Sequence, residues 1–142
     1  MIKNNPPVGR AGKIIYWIAT LWLALGMTAT GILQLLQVEA EGAIAPPGVY
    51  GIQYLGYPVY FLTILGIWKL LGVIAVLIPK FPLVKEWAYA GFFFVMSGAI
   101  FTHIAVGDPV TELYPSVLLL TMTVLSWYFR AEPRRLISIS PK

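Results

Sequence analysis

Three polar side chains stand in or at the edge of long apolar runs: Lys69, His103 and Gln34. They are the residues of this chain whose types and positions could do chemistry. Lys69 is the only charge in residues 59–78, VYFLTILGIWKLLGVIAVLI, and lies near the middle of that run. A lysine at the centre of a bilayer costs about 2.5–3.5 kcal/mol on insertion scales, so chains that keep one turn it toward a partner, a water-filled cavity or a ligand. No Asp or Glu stands at a comparable depth in the other apolar runs. Three states are open to Lys69: a neutral amine, an ammonium held by backbone carbonyls and Gln34, or an ammonium facing an anionic or carbonyl-bearing ligand. In the last, its N–H groups could stabilise negative charge developing on a ligand oxygen. His103, the single histidine, can exchange protons near neutral pH. Each residue also has a plainer role. Lys69 could snorkel to an interface, His103 could bond a helix-end carbonyl or a lipid headgroup, and Gln34 could join two helices.

The composition narrows the chemistry. The chain has 142 residues, 58% hydrophobic and 11% charged, with a mean hydropathy of +0.78. A water-soluble domain carries about a quarter charged residues, so this one lacks the polar surface to wrap a core in water. It has no cysteine, which excludes disulfides, thiolate catalysis, cysteine-held iron–sulfur clusters and covalent haem. One histidine cannot supply a bis-histidine haem, and His103 with scattered carboxylates is a poor metal-ligand set. No metal and no catalytic residue is assigned, and the cofactor is unknown. The net charge of +4 gathers at the ends of apolar runs rather than in a stripe, so nucleic acid is excluded as a partner.

The elements that must position these residues are four transmembrane helices in one membrane domain, residues 1–142. A span needs about 20 apolar residues. The expected spans are 14–37, 59–78, 87–106 and 109–129. The first follows Lys3, Arg10 and Lys13 and is too long for a signal-peptide core. In the fourth, Asp108 is expected as N-cap, Pro109 at the first helical position and Pro115 as a kink. The fold class is therefore an all-α integral membrane four-helix bundle. Lys3, Arg10 and Lys13 precede span one, Lys80 and Lys85 lie between spans two and three, and Arg130, Arg134, Arg135 and Lys142 follow span four. The other two loops hold only acids: Glu39, Glu41, Asp108 and Glu112. The positive-inside rule then places both termini in the cytoplasm of a multi-pass protein of the inner (plasma) membrane.

Small residues suggest how the helices meet. Gly66, Gly72, Gly91 and Gly98 are expected at helix–helix contacts, where they permit close backbone approach. Gln34, Gln37, His103, Asp108 and Glu112 fall near the outer ends of their spans. With Lys69 deeper, they suggest a polar pocket opening outward with a cation at its floor. In the outer loop, Tyr50, Tyr54 and Tyr57 would share one face of a short helix over 49–57. That face would be an aromatic belt at headgroup depth or a lid over a ligand.

Two stretches carry a resemblance. One is Leu55-Gly56-Tyr57-Pro58 followed by Leu65-Gly66-Ile67-Trp68-Lys69-Leu70-Leu71-Gly72. The other is Lys85-Glu86-Trp87-Ala88-Tyr89-Ala90-Gly91 continuing to His103 and Gly107-Asp108. The chain resembles the DoxX-like family of small four-span bacterial membrane proteins. The resemblance implies the four-helix fold and maps the family's lysine and histidine to Lys69 and His103. It also implies a link to oxidoreductases, because the family takes its name from a subunit of a membrane thiosulfate:quinone oxidoreductase. It assigns no reaction of its own, so whether the chain is an enzyme stays open.

Two functions follow as expectations. The chain is an accessory subunit of a membrane redox system, binding a quinone-like or small anionic ligand through Lys69, His103 and Gln34, with a membrane partner subunit. Alternatively it is a non-catalytic scaffold or partner-binding protein whose polar residues only lock the bundle. A carrier is disfavoured, since four short helices leave little room for alternating access and no inverted repeat is visible. The orientation is directly testable. In a Ser140→Cys variant of this cysteine-free chain, a membrane-impermeant thiol reagent should label only opened cells. Labelling of intact cells would reverse the assignment.

Overall fold

The structure, a computed structural model, describes residues 9–37 and 51–131. Five helices and one 3₁₀ turn make up the ordered elements, and no strand occurs among the described residues. They are α1 (Arg10–Leu35), a single turn α2 (Gly51–Tyr54), α3 (Tyr60–Leu77), α4 (Pro82–Val106), the 3₁₀ turn Val110–Leu113 and α5 (Tyr114–Tyr128). Four stretches are long and apolar enough to cross a membrane: α1, α3, α4, and the 3₁₀ turn together with α5. Neighbours in the bundle run α1–α3–α4–α5 and back to α1, so α1 lies diagonal to α4. Leu23, Met27, Val76, Phe92, Met96 and Leu119 fill the centre. Large apolar side chains also cover the outside, with Phe94 70% and Phe101 72% exposed. A water-facing helix would be polar there; a lipid-facing one is not.

Helix ends depart from the expected spans where local chemistry acts. Span three was expected from residue 87, yet α4 begins at Pro82. Proline is suited to the first helical position, where its missing N–H has no helical partner. The chain reverses just before it through Lys80 and Phe81, whose φ angles are 72° and 54°. Left-handed conformations cost such residues about 1–2 kcal/mol each. Lys85 offsets that cost. It was expected as a loop charge facing the cytoplasm, but it is 1% exposed and its Nζ donates to the carbonyls of Ala75 (2.8 Å), Val76 (2.7 Å) and Ile78. These carbonyls end α3 and have no helical partner, and a cation is the group that suits them.

The fourth span also differs. Asp108 does not cap a helix; its carboxylate is taken by other side chains. Pro109 is extended (ψ 151°) and precedes the 3₁₀ turn, and α5 starts only at Tyr114. Pro115 therefore lies in the first turn of α5 and kinks nothing, since the N–H it lacks would have no partner there. At the end of α4, Gly107 adopts φ 79° and the N–H of Asp108 bonds His103 O at 3.0 Å. This is the Schellman ending that glycine favours.

Glycines decide how closely the helices approach. A Cβ on Gly66 would lie 2.8 Å from Gly31 O and 2.7 Å from Leu35 Cγ, and one on Gly72 would lie 2.6 Å from Phe92 Cζ. Gly26, in the same way, makes room for Leu119. Gly91 and Gly98 do not fit the expectation: nothing lies within 4 Å of a Cβ built on either. The inward face of α4 is instead Lys85, Tyr89, Phe92 and Met96. That bulky stripe needs glycine opposite it, on α3, and turns its own glycines outward. Gly66→Ala should therefore lower stability in detergent by about 1–3 kcal/mol, because a backbone carbonyl cannot step aside. Gly91→Ala and Gly98→Ala should leave the thermal unfolding midpoint unchanged or higher.

Candidate functional site

Lys69 sits at the meeting of α1 and α3. Gly31 approaches its Cβ, since a Cβ on that glycine would lie 3.3 Å away. The lysine stem is therefore pressed against α1, and the residue is 6% exposed. Its Nζ donates to Thr30 Oγ1 at 3.1 Å. Thr30 passes its own proton to Gly26 O at 2.9 Å, so its lone pairs are free to accept. The lysine thus does not reach lipid headgroups, and its hydrogen-bond partner is Thr30 rather than Gln34. Gln34 stands one turn along α1 from Thr30, and its Oε1 is buried with no hydrogen-bond partner among the described residues.

Lys69 also lines a cavity of about 480 Å³ between α3 and α4. The cavity walls include Trp68, Trp87, Phe92, Gly72 and Gly91, and Lys69 is their one charged residue. Trp68 and Trp87 are well exposed on the outer surface of the bundle. In a bilayer this cavity opens sideways into lipid. It includes neither Gln34 nor His103, so it is not the outward-opening polar pocket that the sequence suggested.

His103 belongs to a separate cluster at the far end of α4. Its Nδ1 lies 2.6 Å from Asp108 Oδ2. The carboxylate is acceptor-only, so Nδ1 carries the proton and Nε2 is left for another partner. Asp108, 4% exposed at its side chain, also accepts from Tyr54 Oη at 3.1 Å. Tyr57 Oη lies 3.1 Å from Thr102 Oγ1, and its ring stacks on Phe61. The expected helix over 49–57 is a single turn, stopped by Gly56 at φ 87°. Tyr50 lies outside the described residues. Tyr54 and Tyr57 are thus tied to the end of α4 rather than resting free in a headgroup layer.

A third polar cluster lies at the opposite end and escaped the sequence reading. Glu86 accepts from Arg130 Nη2 at 2.6 Å and from Trp127 Nε1 at 2.8 Å. The Arg130 guanidinium sits 4.8 Å from the centre of the Tyr89 ring. Thr20 and Tyr89 both bond Ser126 Oγ at 2.7 Å, which joins α1, α4 and α5. Every group in this cluster has a partner, so it reads as a lock. The signal was present in part: Glu86 is an acid at the basic end of the bundle, a mismatch that asks for a nearby cation.

The family model of the DoxX-like family matches residues 18–126. The chain belongs to the DoxX-like family. No curated protein and no solved structure matches it. The DoxX-like match takes in Thr30, Gln34, Lys69, His103 and Asp108, so both the lysine and the histidine clusters lie in the family's shared region. Membership carries the multi-pass membrane architecture with it; the chemistry rests on the side chains.

The Asp108 cluster has a pH signature. The hydrogen bond to Asp108 raises the Tyr54 phenol above its ordinary value of 10.0, with burial and the carboxylate charge adding to it. A group raised on folding contributes stability below its unfolded value and loses it as pH climbs through the folded value. The Tyr54 end of the tie between α2 and α4 should therefore weaken in alkali. Asp108→Ala should return the Tyr54 titration to the ordinary tyrosine range, measured as phenolate absorbance against a Tyr54→Phe control.

Proposed function

We propose that this DoxX-like chain is an accessory subunit of a membrane redox system, holding a quinone-like or small anionic ligand against Lys69. One observation carries this reading. A buried lysine that pairs with no carboxylate among the described residues lies on the wall of a cavity lined by Trp68, Trp87 and Phe92. A lipophilic ligand would enter from the bilayer between Trp68 and Trp87. Its oxygen would accept from Lys69, which stabilises negative charge developing there. With no cysteine and one histidine, the electrons would come from a partner subunit. His103, oriented by Asp108, would exchange protons at the other end of the bundle. The positive-inside rule supports both termini in the cytoplasm and His103 at the outer face.

The satisfied cluster of Glu86, Arg130, Tyr89 and Ser126 favours the alternative, a scaffold, for that end of the molecule. Mass spectrometry of small molecules that co-purify in mild detergent separates the two. The redox reading expects a stoichiometric quinone-like compound or organic anion in the wild type and its loss in Lys69→Met. That variant should keep its helicity and unfold at the same or a higher temperature, since it removes a buried charge. Phospholipid alone in both proteins would leave the scaffold.

A further inference from the structure

The α3–α4 cavity is a groove with one end at the membrane surface. Its lining on α4 runs from Val84 to Val95, about 16 Å along the helix at 1.5 Å per residue. One leaflet of a hydrocarbon core about 30 Å thick has nearly that depth. Spread over this length, 480 Å³ leaves a mean cross-section of about 30 Å². That admits one extended hydrocarbon chain and not two. Gly91 keeps the groove clear, since nothing lies within 4 Å of a Cβ built there. At its surface end, lined by Ala75 and Val84, the groove adjoins the reversal 78–81.

That reversal carries a positive charge that the protein does not neutralise. Lys80 is exposed, and no acid among the described residues pairs with it. Glu86 is the one acid among the described residues at this end, and Arg130 and Trp127 hold its carboxylate. The Lys85 ammonium is turned inward on the carbonyls of α3. Lys80 and Phe81 are kept at φ 72° and 54°, where a residue with a Cβ is strained, and such strain gathers where a side chain is held for use. Phe81 beside Lys80 is 61% exposed. An aromatic ring next to a lysine between two spans suits the headgroup boundary.

We infer that the α3–α4 groove seats one acyl chain of an anionic phospholipid whose phosphate lies against Lys80. The two ends of the site recognise the two ends of the lipid. The groove takes any chain that fills one leaflet. Lys80 separates an anionic headgroup from a zwitterionic one, whose own cation competes for the phosphate. A lysine near the surface favours anionic lipid by about fivefold. A phosphate tethered at the interface cannot reach Lys69 in mid-span, so this lipid and a ligand at Lys69 are different molecules. Such a ligand would enter by displacing the chain.

The test is native mass spectrometry of the full chain released from nanodiscs that hold equal parts of two lipids with the same palmitoyl and oleoyl chains, phosphatidylglycerol and phosphatidylcholine. Phosphatidylglycerol should be retained about fivefold over phosphatidylcholine. Lys80→Gln should bring that ratio near one. Lys13→Gln, on α1 and away from the groove, should leave the ratio as it is. Gly91→Leu fills the groove from an open position, so it should lower retention of both lipids while the thermal midpoint holds. Equal retention of the two lipids by the wild type would overturn the site. So would a preference that Lys13→Gln lowers as much as Lys80→Gln does, since charge would then act only as a surface field. Undiminished retention in a folded Gly91→Leu would place the chain elsewhere and overturn the site as well. None of these outcomes touches the loss of ligand expected in Lys69→Met, which judges the redox-accessory reading separately.

Discussion

Two glycines facing each other set the geometry of this molecule. Gly31 on α1 and Gly66 on α3 bring the two backbones so close that one added methyl would press on a carbonyl. Small residues do this in membranes because lipid supplies no hydrophobic drive between helices, and association depends on close packing. The consequence falls on Lys69. Its stem is walled in by α1, and its amine is delivered to Thr30. A lysine on a loosely packed helix would extend along the surface to the nearest headgroups. Here close backbone contact turns a residue that could have snorkelled into a buried one.

The other buried polar groups show what a satisfied site looks like in the same bundle. Lys85 meets three carbonyls, and Arg130 has Glu86, a backbone carbonyl and two aromatic faces. Thr20, Ser126 and Tyr89 bond one another. Each group was removed from water, and each found its partners within the protein, as lipid requires. Against that standard Lys69 and Gln34 stand out. Among the described residues Lys69 bonds Thr30 and no other residue, and Gln34 Oε1 has no partner, whereas Lys85 and Arg130 each meet several groups.

The architecture was legible in the sequence because hydropathy acts over twenty residues at a time. Length, apolarity and the small-residue face of α3 all point to the bundle that forms. What escaped was set by partners distant in the chain. Lys85 looks like a loop lysine until Pro82 is seen to start a helix, which carries it under the end of α3. Asp108 has the spacing of an N-cap, yet His103 and Tyr54 compete for its oxygens and win. Gly91 and Gly98 share a helical stripe, but stripes do not say which way they face; bulky Phe92 and Met96 decided that. For the site, the candidates were visible as chemical types. Their grouping was not, since the lysine and histidine clusters lie in different places and the cavity opens between α3 and α4 rather than along the bundle axis.

The clamp made by Lys85 has a mechanical consequence for that cavity. Its ammonium grips the last carbonyls of α3 from the first turn of α4, across a reversal of four residues. The two helices are therefore joined at one end as the legs of a pair of dividers are joined at the pivot. Sliding one leg past the other would break several charge-assisted bonds at once. Spreading the legs would break none. The clamp thus fixes the register of α3 against α4 beside the cleft, while the width of the cleft rests on the packing of Phe92 against Gly72.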